Sequence, residues 1–305
     1  MNTVTEKSSS VGGLLRTFVA LVRTMRPRQW TKNAVIFAGI VFDAQLLIPD
    51  SLMRVMVAFV LLCLASGSIY IINDLVDIEK DRQHPRKKNR PLPSGLLPIP
   101  VAIGAAVIVP LISVGVALMF SLPLALVLLL YIVLHIAYSF WLKNVVIIDV
   151  FAIAAGFMLR VVAGVVVIVV ARFSPWLYVC AAFLALFLAV GKRRQELLLL
   201  ADKAQDVRAT YKQYTLPLLD EMLRLVMTGS VLSYTLYTFD PVSHPSGPVL
   251  LLTVPFVLYG VMRYLYLIHV ENKGSAPDEV VLEDMPLLGT IILWGVAVLT
   301  ALYLG

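Results

Sequence analysis

The chain has 305 residues, of which 60% are apolar and only 14% charged, with a mean hydropathy of +0.89 and a formal net charge of +6. So little polar surface excludes a water-soluble globule and points to an integral membrane protein with the lipid bilayer as its main partner. Cys63 and Cys180, far apart and each within an apolar segment, exclude a disulfide framework or a zinc cluster, and the positive balance suits anionic lipid rather than nucleic acid.

The polar opening, residues 1–13, is expected to lack structure. The apolar run behind it carries Arg16, Arg23 and Arg26 without a small-residue cleavage site, so no removable signal peptide is expected. Residues 14–25 are amphipathic and lead into a short first span that Asp43 and Gln45 interrupt. Segments of about 20 apolar residues cross a bilayer as helices. Nine suit that role, near 34–49, 53–73, 99–120, 123–141, 145–170, 175–191, 221–239, 248–268 and 286–304. The predicted fold is all-α, a polytopic bundle of about nine transmembrane helices forming one domain over 1–305, with cap loops at 77–98, 192–216 and 269–285. Lys and Arg divide 22 to 2 between alternate ends of these spans, with Arg160 inside one. Positive loops stay inside, so the N-terminus and the cap loops are expected on the cytoplasmic side of the cell inner (plasma) membrane.

The segment from Asn73 to Pro85 places acids at the end of an apolar span. At about 100° per residue, Asn73, Asp77 and Asp81 fall at roughly 0°, 40° and 80° of a helix, on one face in consecutive turns. Oxygen donors in that pattern suit a hard cation, and Mg2+ with a diphosphate fits better than a bare structural ion because magnesium takes carboxylate and phosphate oxygens together. Asp74 lies near the same arc, at roughly 100°. The next loop crowds Lys80, Arg82, Arg86, Lys87, Lys88 and Arg90 beside these acids. Such cations can take the remaining phosphate oxygens; Arg82 is assigned to that role, and Arg86, Lys87 and Lys88 to a solvated positive loop.

These residues carry a resemblance. Asn-Asp-x-x-Asp-x-x-x-Asp-Arg-x-x-Pro at the end of the second span resembles the first motif of the UbiA superfamily of intramembrane prenyltransferases, and the likeness extends over nearly the whole chain. More narrowly, residues 26–33, 89–95, 138–143, 156–160 with 163–164, and 191–196 resemble the decaprenyl-phosphate phosphoribosyltransferase branch. Ordinary members carry a second Asp-x-x-x-Asp pair on the sixth span, where this chain reads Lys192-Arg193-Arg194-Gln195-Glu196. The resemblance implies a helical bundle around a cavity open sideways to lipid. It also implies an enzyme in which a polyprenyl phosphate attacks the anomeric carbon of phosphoribosyl pyrophosphate and magnesium pyrophosphate leaves.

On that reading Asn73, Asp77 and Asp81 are the catalytic, metal-holding set. Gln29, Lys32, Arg82, Tyr138, Lys143, Arg160, Lys192, Arg193 and Glu196 are the expected phosphate and substrate ligands. Each has a plainer competitor. Arg160 is a structural charge if an acid on another helix pairs with it, since an isolated charge inside a span is costly. Lys192 and Glu196 sit four apart and suit a surface pair. Tyr138, and the Gln29–Lys32 segment around Trp30, also fit an interfacial belt. Asp149 either orients a cation or meets ribose hydroxyls, and Tyr211 and Tyr214 are candidates to cap the cavity. Two other functions remain open at this stage: transfer of the prenyl group itself from a polyprenyl diphosphate to a small aromatic or polar acceptor, and non-enzymatic lipid carriage. Gly156 and Gly164 permit close helix contact, within one chain or between copies in a homo-oligomer.

Overall fold

The structure, a computed structural model, describes residues 3–85, 87–170, 174–200, 209–240, 248–271, 273 and 277–304. The helices are α1 (Thr3–Thr24), α2 (Ala38–Phe42), α3 (Pro49–Val76), α4 (Ile78–Gln83), α5 (Ile99–Phe120) and α6 (Leu122–Phe140). They continue as α7 (Ile148–Val165), α8 (Pro175–Leu200), α9 (Leu216–Thr238), α10 (Val254–His269), α11 (Pro277–Glu283) and α12 (Met285–Tyr303). No strand occurs among the described residues. Proline stands in the first turn of α3, α5, α6, α9, α10 and α12, where its missing N–H costs no hydrogen bond. Ser121, Thr215 and Asp284 cap α6, α9 and α12 by accepting the N–H of Leu124, Leu218 and Leu287.

Seven described helical segments are long and apolar enough to cross a bilayer, against nine expected, so the chain is a multi-pass membrane protein. Two elements account for the difference. The expected first span is a 3-10 segment, Pro27–Phe37, followed by the five-residue α2, which ends where Ala44 takes a positive φ of 56°. The other, α9, has 23 residues but carries Asp220, Glu221 and Arg224 in its opening turns. The expected terminal and cap stretches also contain helix: α1 begins at Thr3, α4 lies within 77–98, α8 runs on through Lys192 to Leu200, and α11 lies within 269–285.

One apolar core joins Ile36 and Ile40 to α3, α6 and α7; a second joins α7, α8, α9 and α10 to Tyr211 and Tyr214. α7 belongs to both, and it reaches its neighbours because two of its residues lack side chains. A Cβ on Gly164 would lie 1.9 Å from the carbonyl oxygen of Ile36, and one on Gly156 would lie 2.7 Å from Cε1 of His135. The 3-10 segment and α6 therefore close on α7 from two sides. Outward faces such as Val107, Leu111 and Leu118 on α5 and Ile292, Leu293 and Val296 on α12 stay exposed and apolar, as a lipid solvent requires.

Candidate active site

The predicted oxygen donors lie on either side of the end of α3. Asp77, at φ −94° and ψ 7°, closes α3 and opens α4, so Asn73 and Asp81 sit on two consecutive helices and not on one continuous face. The turn keeps them close because the Asp81 N–H donates to the Asp77 carbonyl at 2.8 Å. Asn73 Oδ1 is oriented by Ser139 Oγ of α6, which donates at 2.7 Å. Asp81 is 2% exposed and accepts from Arg90 Nη1 at 2.6 Å, with Lys87 Nζ at 3.4 Å from its other oxygen. The same Arg90 nitrogen lies 3.2 Å from Asp74 Oδ1, which also accepts from Arg26 Nη2 at 2.5 Å, and the Arg26 guanidinium lies over the Tyr70 ring. Among the described residues, no hydrogen bond or ion pair engages the half-buried Asp77 carboxylate.

Arg90 reaches this position from a loop pinned by the buried side chains of Leu92 and Leu97. The loop is closed by the Leu97 N–H donating to the Pro91 carbonyl at 2.9 Å, with Gly95 at φ 81° where a side chain would strain the turn. Arg82, expected to serve phosphate, is exposed and pairs with Glu79 at 2.7 Å. Arg26 and Arg90 instead line the acids.

The donor set suits a hard cation. Asn73, Asp77 and Asp81 offer only oxygen, and one guanidinium already bridges Asp74 and Asp81, so positive charge fits between them. Among the described residues no three His, Cys, Asp or Glu gather as a self-sufficient metal cage. Magnesium does not require one, because it keeps waters and shares substrate phosphates.

A second polar cluster lies deeper. Arg160 on α7 is half-buried and donates through Nε to Asn33 Oδ1 (2.9 Å), through Nη1 to the Gly156 carbonyl (2.7 Å) and through Nη2 to Tyr131 Oη (2.8 Å). Asn33, 1% exposed, is held in turn by donating to Ser66 Oγ at 3.0 Å. A charge within a span costs roughly 2.5–3.5 kcal/mol on insertion scales, yet no acid pairs with Arg160 among the described residues.

The third cluster replaces an expectation. Arg193, predicted to offer its guanidinium to phosphate, is 1% exposed and closed in by two carboxylates and a phenol: Nε donates to Asp149 Oδ2 (2.6 Å), Nη1 to Glu196 Oε2 (2.6 Å) and Nη2 to Tyr138 Oη (2.7 Å). Glu196 therefore pairs with Arg193 and accepts from Tyr211. Tyr214 donates to Asp149 Oδ1 at 2.6 Å and accepts the Ile147 N–H at 2.8 Å, which holds Ile147 at a positive φ of 70°. Burial, then the acceptor carboxylate, push the Tyr214 phenol well above its ordinary range. Asp149, Arg193, Glu196 and three tyrosines thus lock α6, α7, α8 and the 209–215 segment together. Of the other expected ligands, Gln29 is half-buried and Lys32 exposed on the 3-10 segment, while Lys143, in the short 3-10 turn after α6, and Lys192, eight residues before the end of α8, are half-buried.

An all-helical membrane bundle with an amide and two acids beside clustered arginines at one helix end defines a class of intramembrane transferase. Residues 34–281 match the UbiA prenyltransferase family, and the chain belongs to it. It is 34% identical over 93% of its length to the decaprenyl-phosphate phosphoribosyltransferase of Corynebacterium glutamicum, covering 87% of that protein. It is 30% identical to the enzyme of the same name from Mycolicibacterium smegmatis, with 98% of each chain covered. Among solved structures it resembles a UbiA homolog from Archaeoglobus fulgidus bound to GPP and Mg2+, with a TM-score of 0.68 at 16% identity, covering 93% of this chain and 99% of the other. At that identity the likeness concerns the fold.

Proposed function

We propose that the chain catalyses magnesium-dependent transfer of a 5-phosphoribosyl group from phosphoribosyl pyrophosphate to a long-chain, decaprenyl-type polyprenyl phosphate, releasing pyrophosphate at the cytoplasmic face of the plasma membrane. The observation that carries the reading is the Asn73–Asp77–Asp81 oxygen set beside Arg26 and Arg90. It is supported by relatives of that activity at 30–34% identity over most of the chain.

Asn73, Asp77 and Asp81 would hold magnesium, which when bound neutralises charge on the departing pyrophosphate. Ser139 fixes the Asn73 oxygen, and burial with Arg90 fixes Asp81, so these donors need little rearrangement. Asp74, clasped by Arg26 and Arg90, orients the two guanidiniums. The lipid phosphate is already ionised, so no strong general base is required. Bringing two anionic substrates together is the harder task, and Lys32, Lys143, Arg160 and Lys192 offset their repulsion, with Gln29, Tyr138 and Arg82 as neutral or rim contacts. Arg193 and Glu196 serve by holding Tyr138 and Asp149 in place.

The test incubates purified protein and magnesium with phosphoribosyl pyrophosphate plus polyprenyl phosphate and, in parallel, with a polyprenyl diphosphate plus aromatic acceptors. Phosphoribosylated lipid is the expected product. Asp77→Ala should lower turnover by about 100-fold or more while the protein stays folded. Prenyl transfer in the second mixture alone would replace the proposal, and full turnover by Asp77→Ala would remove Asp77 from the metal set.

A further inference from the structure

Arg26, Arg90, Arg193, Arg194 and Arg263 each meet at least one carboxylate. Arg160, the arginine set well inside a span, meets none among the described residues; its three partners are an amide oxygen, a backbone carbonyl and a phenol. All three are neutral, so they orient the guanidinium without cancelling its charge.

The surroundings are built to hold it so. Gly164 admits the 3-10 segment that carries Asn33, and Gly156 admits the ring of His135. Tyr131 and Asn33 are each 1% exposed, which fixes the acceptors that aim the fork. The guanidinium has five N–H groups, of which three are engaged, and its side chain remains partly open. Tyr131, His135 and Ser139, spaced four apart, line one face of α6. Ser139 touches Asn73 and Tyr131 touches Arg160, so this stripe links the acidic site to the cation about two turns, or roughly 11 Å, deeper.

We infer that Arg160 is the subsite for a phosphate monoester, separate from the site at Asn73, Asp77 and Asp81. The inference rests on the phosphoribosyl-transfer reading for its choice of ligands. Two groups of that chemistry enter the reaction: the phosphate of the polyprenyl acceptor and the 5-phosphate of the donor. Either would complete the charge of Arg160 by two-point hydrogen bonding to the open N–H groups, which arginine makes and lysine cannot match.

The experiment measures binding to the purified full chain in lipid nanodiscs, without magnesium, by tryptophan fluorescence. The probes are decaprenyl phosphate incorporated in the disc and ribose 5-phosphate in solution. Arg160→Gln is expected to weaken one probe at least tenfold and leave the other within about twofold, and the probe weakened identifies the phosphate source. Unchanged affinity for both probes in folded Arg160→Gln overturns the inference and leaves Arg160 a structural tie between α6, α7 and the 3-10 segment. If Arg160→Gln does not fold, Arg160→Lys takes its place: it keeps charge but loses the fork, so one probe should weaken several-fold, and no change in either overturns the inference. Neither arm needs turnover. A wild type that binds the probes normally yet forms no phosphoribosylated lipid would overturn the proposed reaction alone.

Discussion

Arg193 and Arg194 are adjacent on α8 yet serve different neighbours, because successive helix residues diverge by about 100°. Arg193 turns inward to Asp149 and Glu196, and Arg194 turns to Asp220. Asp149 is fully buried and Arg193 nearly so, which makes the pair costly to break even if its net contribution is small. Arg193→Met should destabilise the protein by about 3–5 kcal/mol, since it strands a carboxylate in the core. Thermal unfolding in detergent measures this, and adding Asp149→Leu should recover a substantial part of the loss. An Arg193→Met protein as stable as wild type would mean that Asp149 finds another partner. The sequence shows the basic cluster plainly, but not its aim. The Asn73, Asp77 and Asp81 pattern stands out in the sequence because its spacing is local, although the helix ends at Asp77, whereas Arg90 and Arg26 reach Asp74 from 16 and 48 residues away. No periodicity within one helix carries that information.

Among the elements, apolar runs disclose most helices and conceal one. Residues 34–49 have the composition of a span, but Pro27 and the reversals at Arg26 and Ala44, with φ of 55° and 56°, yield a 3-10 segment and a single short helix. The segment is held by packing, through Gly164. A Cβ there meets the backbone oxygen of Ile36, which cannot rotate away, so Gly164→Ala should cost at least about 1–3 kcal/mol and shift Asn33 away from Arg160. Gly115→Ala on α5 is the control: nothing lies within 4 Å of its new methyl, and removing a mid-helix glycine should leave stability unchanged or raise it by up to about 1 kcal/mol. Equal melting temperatures for the two variants would mean that the contact between α7 and the 3-10 segment relaxes freely. The pair at Gly156 and Gly164 was visible in the sequence as permission for close approach; which neighbours use it emerges only from the packing.

For the whole molecule, the distribution of cations sets a constraint that neither single residues nor single helices can express. With 22 Lys and Arg at one set of ends of the nine spans expected from the sequence and 2 at the other, inversion would carry many charges across the hydrocarbon, each at a cost of several kcal/mol. The Asn73, Asp77 and Asp81 set lies at the basic end, so the proposed orientation, with that end inward, would put it on the side where the proposed reaction needs magnesium and a water-soluble sugar donor. Cys63 and Cys180 are both buried, which leaves a low background for labelling. Asp50 opens α3 at the sparse end and Gln83 closes α4 at the basic end, and both are exposed. A membrane-impermeant maleimide added to intact cells should label Asp50→Cys and spare Gln83→Cys, with the second labelled only after the membrane is opened. The reverse pattern would turn the bundle over and place the acids beyond reach of a cytoplasmic donor, and the proposed reaction would fail with it.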